Sequence, residues 1–119
     1  MSKCRVGSYG ETQAINYLKN LGYVILERNY RFNRSEVDII CEKGGVIVFV
    51  EVKKRMGDEY GSGIEAVDFN KVKKIVRLAQ QYLRRRGLSD KCKVRFDVIG
   101  IHRDKLEHIE DAFRENNKY

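Results

Sequence analysis

The chain has 119 residues, 42% of them hydrophobic and 34% charged, with a formal net charge of +7 at pH 7. That length supports one domain around one core, and the positive excess favours a polyanionic partner, nucleic acid before an anionic membrane surface. A bilayer-spanning helix is excluded, because no apolar stretch approaches the ~20 residues it would need.

Proline is absent and glycine sits at junctions, so no linker, repeat or low-complexity tract is visible. Met1–Arg5 lacks the apolar run of a signal peptide, and the expectation is a soluble cytoplasmic protein. Cys4, Cys41 and Cys92 have no C-x-x-C spacing and read as free thiols, with Cys41 a small core residue.

In chain order, Ser8-x-x-Glu11 reads as a capping box opening a helix that runs to about Leu21 and stops at Gly22. Its apolar stripe is Ala14, Ile15, Leu18 and Leu21. Tyr23 to Phe32 is rich in aromatic and branched residues and predicts a strand, turned by Asn33-Arg34-Ser35 into a second strand around Val37–Cys41. Gly44-Gly45 marks a hairpin turn into a third strand, Val46–Val50, extended by Glu51-Val52-Lys53. Gly57, Gly61 and Gly63 punctuate a loop. A second helix is predicted from near Asp68 to just before Gly87, with Val72, Ile75, Val76, Ala79, Tyr82 and Leu83 at helical spacing. Lys93–Ile101 alternates as a strand, Leu106–Ile109 adds an edge strand, and 114–119 reads as a frayed tail. The layout is a single α/β domain over residues 1–119, with a mixed central sheet flanked by helices in the order α-β-β-β-α-β.

Asp38 and Glu51-Val52-Lys53 carry the chemistry. Side chains two apart on a strand share a face, so Glu51 and Lys53 project together, away from Val48, Val50 and Val52. Folding the hairpin brings Asp38 towards Glu51. Two carboxylates beside an ammonium suit Mg²⁺ bound to a phosphate ester, the arrangement of a nuclease. A solvated ion pair is the usual fate of Glu-x-Lys. Here, however, the charges continue a buried-type apolar run, where they need a partner, a metal or a function. Glu11 and Lys71 each begin the inward stripe of a helix and so face the sheet. Capping by Glu11 and snorkelling by Lys71 are the plainer alternatives. Arg95 and Asp97 also share a face and read as a structural ion pair.

Together these residues resemble the YraN-like family of predicted endonucleases, relatives of archaeal Holliday junction resolvases in the PD-(D/E)xK nuclease superfamily. The resemblance spans Gly7 to about Phe113. It rests on Gly10-Glu11, Ala14, Tyr17-Leu18, Gly22-Tyr23, Arg28-Asn29-Tyr30-Arg31, Glu36-Val37-Asp38, Phe49-Val50-Glu51-Val52-Lys53 with Arg55, Lys71, Ala79, Tyr82-Leu83, Arg95-Phe96-Asp97-Val98 and Ala112-Phe113. Ser35 stands where the family usually has glycine before the Glu-x-Asp segment.

The resemblance implies a restriction-endonuclease-like core with Asp38, Glu51 and Lys53 as the triad and Glu11 as a helix-borne acid. On this reading Asp38 and Glu51, with the Val52 carbonyl, hold Mg²⁺, for which Mn²⁺ can substitute, and Glu11 completes a second site. Lys53 orients water or contacts phosphate. The implied activity is metal-dependent hydrolysis of branched or structured DNA. A non-catalytic nucleic-acid-binding module of the same fold and an RNA-directed nuclease are the alternatives. DNA contacts are expected from Arg28, Arg31, Arg34, Arg55, Lys71, Lys74, Arg84 and Arg85, by backbone and shape, with Tyr30 and Phe32 able to stack on exposed bases. A homodimer is possible, with Tyr9, Tyr60 or Tyr119 at its interface. No membrane partner is expected.

Overall fold

One glycine ends each helix, and a pair of glycines turns the central hairpin. A computed structural model of the chain describes residues 6–55, 69–88 and 92–113. The order is α1 (Val6–Asn20), β1 (Val24–Phe32), β2 (Ser35–Lys43), β3 (Val46–Arg55), α2 (Phe69–Arg85), β4 (Lys93–His102) and β5 (Lys105–Phe113).

Helix α1 ends with Gly22 at φ 97°, where the Gly22 N–H donates to the Lys19 carbonyl and the Tyr23 N–H to the Leu18 carbonyl, both at 3.0 Å. Helix α2 ends the same way. Gly87 has φ 71°, and Leu88 N–H donates to the Leu83 carbonyl at 2.8 Å. Paired bonds of this kind satisfy carbonyls orphaned at a helix end, and the positive φ suits glycine.

The start of α1 differs from the sequence expectation. The helix begins at Val6, ahead of Ser8, so Ser8-x-x-Glu11 is helix interior and not a capping box. Leu21 also departs from the expected stripe. It lies past the last helical residue and is 43% exposed.

The five strands form one sheet in the order β1-β2-β3-β4-β5, antiparallel except for the parallel pair β3–β4. A parallel neighbour needs a crossover, and α2 lies between those strands in the chain. Lys43 pairs with Val46 across Gly44-Gly45, both glycines at positive φ, as a tight two-residue hairpin requires. The last strand is longer than the expected Leu106–Ile109 segment. It adds a full antiparallel edge to the α-β-β-β-α-β order.

One helix covers each face. Ala14, Ile15 and Leu18 of α1 pack with Ile39, Cys41, Val48, Val50, Ile99 and Ile101. On the other face Val72, Ile75, Leu78, Ala79 and Tyr82 of α2 pack with Ile40, Ile47, Phe49 and Phe96. Tyr82 meets Tyr30 and Phe49 edge-on, at 5.0 and 5.9 Å between ring centres. Phe49 stacks on Phe96, and Phe96 on Phe113. Ring contacts of these kinds add about 0.5–1.5 kcal/mol each beyond area burial. Tyr30 is buried and its hydroxyl donates to Gln81 Oε1 at 2.7 Å. The expected base-stacking role for Tyr30 is therefore corrected: its ring belongs to the core. Phe32 packs partly against the same cluster.

Among the described residues no helix is long and apolar enough to cross a membrane. Cys41 is buried, as expected, and burial pushes its thiol up to about 12. Cys4, the Gly57–Gly63 loop, the 114–119 tail, and the side chains of Tyr9, Tyr60 and Tyr119 lie outside the described residues.

Candidate active site

The hairpin β2–β3 is paired from Lys43–Val46 at the turn to Ile39–Val50, and there the pairing stops short of Asp38 and Glu51. Strand alternation breaks at the same place. Val37 and Ile40 pack on the α2 side, whereas Ile39 packs on the α1 side. Regular period-two geometry would have put Val37 and Ile39 together. Opposite Asp38 on β1, Asn29 sits at φ 52° between the pairs Arg28–Ile39 and Tyr30–Val37. Beyond Ile39, Asp38 keeps hold of β3 through its side chain: Oδ2 accepts the Val52 N–H at 2.7 Å.

Asp38 carries the electrostatic signature of this site. Burial pushes its carboxyl up, the Val52 N–H opposes that, and the charges of Glu51, Glu11 and Glu36 add to the rise, leaving it at about 7. Four acids thus sense one another at the point where the two strands part. Crowded carboxylates of this kind are a feature of sites that take up a cation.

Each helix delivers a charged side chain here. From α1, Glu11 has a side chain only 14% exposed, with Arg28 3.9 Å away. Its Oε1 accepts from Asn29 Nδ2 at 3.2 Å. From α2, Lys71 reaches the sheet and its ammonium pairs with Glu51 Oε2. Glu51 lies on the same face as Ile47 and Phe49, the face that α2 covers. Lys53 follows on that face, part-exposed at the end of β3.

The basic residues fall into groups. Arg28 leans on Glu11, and Arg31 on Glu36 at 3.6 Å. Arg34, Lys71 and Lys74 line a cleft of about 290 Å³ between the β1–β2 turn and the start of α2. Arg84 and Arg85 are exposed at the far end of α2, where Arg85 also lies over the Tyr30 ring. The Arg55 side chain lies outside the described residues.

Among the described residues, no group of three or more His, Cys, Asp or Glu side chains converges closely enough to hold a metal ion. The donors on offer are Asp38 and Glu51, hard oxygens with an excess of negative charge around them. That set fits Mg²⁺, which binds through one or two carboxylates and keeps several of its waters.

A second polar cluster is built around Asp97. Asp97 is fully buried on the α1 side and takes both Arg95 Nε and Nη2, at 2.9 and 2.8 Å. It also bonds His108 Nε2 at 2.7 Å and accepts the Asp111 N–H at 2.9 Å. His108 Nδ1 lies 3.0 Å from the Tyr17 hydroxyl, and Arg95 donates to the Tyr23 hydroxyl at 2.6 Å. Burial alone would raise the Asp97 carboxyl, but the bonds from His108, Arg95 and Asp111 outweigh it and hold the group below its ordinary value. The cluster joins β4 to β5, to α1 through Tyr17, and to Tyr23 just ahead of β1. Its one sequence signal was the shared face of Arg95 and Asp97.

Comparison with known proteins gives the same frame. A UPF0102 protein of Chlorobium chlorochromatii is 45% identical over 122 residues, covering 94% of this chain and 93% of its own length. One from Persephonella marina is 47% identical over 107 residues, covering 90% and 91% respectively. Among solved structures, the fold is similar to that of Archaeoglobus fulgidus Hjc, a Holliday junction resolvase from an archaeal hyperthermophile. The TM-score is 0.53 at 17% identity, covering 93% of this chain and 82% of that one. The mixed sheet between two helices is therefore the resolvase-like fold that the resemblance implied. The profile of the uncharacterised protein family UPF0102 matches residues 10–101, and the chain belongs to that family.

Proposed function

We propose that the protein is a metal-dependent endonuclease that hydrolyses phosphodiester bonds in branched or structured DNA. The observation that carries this reading is the parting of β2 and β3 at Asp38 and Glu51. There a part-buried carboxyl is pushed up to about 7 by burial and by three other acids. A module that only bound nucleic acid would gain nothing from such crowding. The fold shared with an archaeal resolvase supports the choice of DNA as substrate.

Asp38 and Glu51, with the Val52 carbonyl, would hold Mg²⁺ or Mn²⁺, and Glu11 would serve a second ion. The bound ion supplies Lewis-acid stabilisation of the phosphate charge. Within the chain, the Val52 N–H fixes the Asp38 carboxylate. Lys53, beyond Glu51 on the same face, orients the attacking water or meets the phosphate. The basic residues of β1 and α2 hold the duplex through its backbone. Paired incision of a four-way junction needs two such sites, so the working form proposed is a two-fold homodimer.

The test is cleavage of linear, nicked, flapped and four-way DNA with Mg²⁺, Mn²⁺ or EDTA. The parent should cut branched substrates only with metal. Asp38→Ala and Glu51→Ala should abolish cutting while remaining folded. Cutting by both variants at the parent's rate would refute the site assignment. Light scattering with and without a junction reports the dimer.

A further inference from the structure

Both walls of the cleft between the β1–β2 turn and α2 carry positive charge. Arg34 comes from the turn, and Lys71 and Lys74 come from one face of the first turns of α2. The single acid on its wall, Glu36, is paired with Arg31. Arg34 and Lys74 are exposed. Lys71 stands at the border, because its ammonium reaches out of the cleft to Glu51, a proposed metal donor.

Resting on the nuclease reading, we infer that this cleft seats a phosphodiester next to the scissile one, held by Arg34 and Lys74, with Lys71 exchanged between Glu51 and that phosphate. In the metal-free protein Lys71 neutralises Glu51. A divalent ion on Glu51 takes over that task and repels the ammonium, which turns back to the nucleic acid in the cleft. Metal and DNA backbone would then bind cooperatively through one lysine. The exchange needs no movement of helix or strand, since Lys71 has a flexible four-carbon stem. At about 290 Å³ the cleft has room for one nucleotide unit.

Two readouts other than cleavage test this. The first is Mn²⁺ affinity without DNA, by electron paramagnetic resonance. Lys71→Met should tighten Mn²⁺ about fivefold, the scale of one lost ion pair. Lys74→Met removes the same charge without touching Glu51 and should change the affinity less than twofold. Equal effects from the two variants, or no tightening, would overturn the exchange.

The second readout is the salt dependence of binding to a four-way junction, in EDTA and in Ca²⁺, with the substrate verified intact. Each phosphate contact contributes about 0.9 to the slope of log K against log salt. Arg34→Met and Lys74→Met should each lower the slope by about that much under both conditions. Lys71→Met should lower it only in Ca²⁺. Unchanged slopes at Arg34 and Lys74 would remove the phosphate seat. A parent that neither binds Mn²⁺ nor cleaves would sink the nuclease reading and the exchange together, whereas slope losses at Arg34 and Lys74 would still uphold the seat.

Discussion

Replacing Asp38 by asparagine tests the electrostatics of the site with no need for a substrate. The variant keeps an oxygen for the Val52 N–H, which Asp38 now accepts at 2.7 Å, and removes the charge. In the parent, burial and the charges of Glu51, Glu11 and Glu36 move the carboxyl from 3.8 to about 7. The folded protein therefore keeps this proton to near neutrality, whereas the unfolded chain releases it near 3.8. Between those values the folded state binds more protons, so this group's share of stability is present in full below pH 3.8 and is lost as pH rises through about 7. At about 1.4 kcal/mol per pH unit, the gap corresponds to about 4 kcal/mol as an upper bound. Housing the asparagine amide takes back part of that gain, so a net stabilisation of about 2–4 kcal/mol is expected at pH 8 in EDTA. Urea denaturation of both proteins from pH 4 to pH 8.5 measures it. The curves should coincide at the acid end, diverge with rising pH and run parallel above about 7. Saturating Mg²⁺ should then favour the parent alone, by about 2.7 kcal/mol at a hundredfold excess over Kd. An asparagine variant no more stable than the parent at pH 8 would show that the carboxylates do not crowd Asp38.

Three further outcomes are expected. Asp97→Ala should destabilise by about 3–5 kcal/mol in urea melts, because it removes the fully buried carboxylate on which Arg95, His108 and the Asp111 N–H converge. Leu78→Ala, at a fully buried position under the sheet, should cost about 2–5 kcal/mol by the same assay and leave the proposed metal site intact. Charge reversal at exposed Arg84 and Arg85 should weaken binding to every DNA sequence alike and flatten its salt dependence, as read by fluorescence anisotropy; loss confined to one sequence would contradict backbone recognition.

What could be read from the sequence follows local chemistry. Gly44-Gly45 and the alternation of β3 fixed the hairpin and the shared face of Glu51 and Lys53, because turn chemistry and period-two patterning act over a few residues. The inward stripe of α2 pointed Lys71 at the sheet, and its ammonium is found on Glu51. Other features depended on distant partners. Val37–Cys41 looks like an uninterrupted strand, and nothing in its apolar run announces that sides change at Asp38. His108 lay within the expected edge strand, but nothing local marked Asp97 as its partner, because their meeting depends on how β5 folds back along β4. Ser8-x-x-Glu11 imitates a capping box inside a helix that starts earlier. Tyr30 looked free to stack on bases because its partner, Gln81, is far away in the chain.

The diglycine turn has an influence out of proportion to its place. Both proposed metal donors lie on the two arms it joins, and Lys43 meets Val46 directly across it. An extra residue in that turn, far from any carboxylate, would shift one arm by a single step. Because strand sides alternate, the shift would carry Glu51 to the face of α1 and Val50 or Val52 to the face of α2. The core and the geometry of the proposed site would fail in one stroke. The site is thus indexed by the hairpin as a tooth is indexed by its gear: its spacing can be inherited only with the turn that sets it.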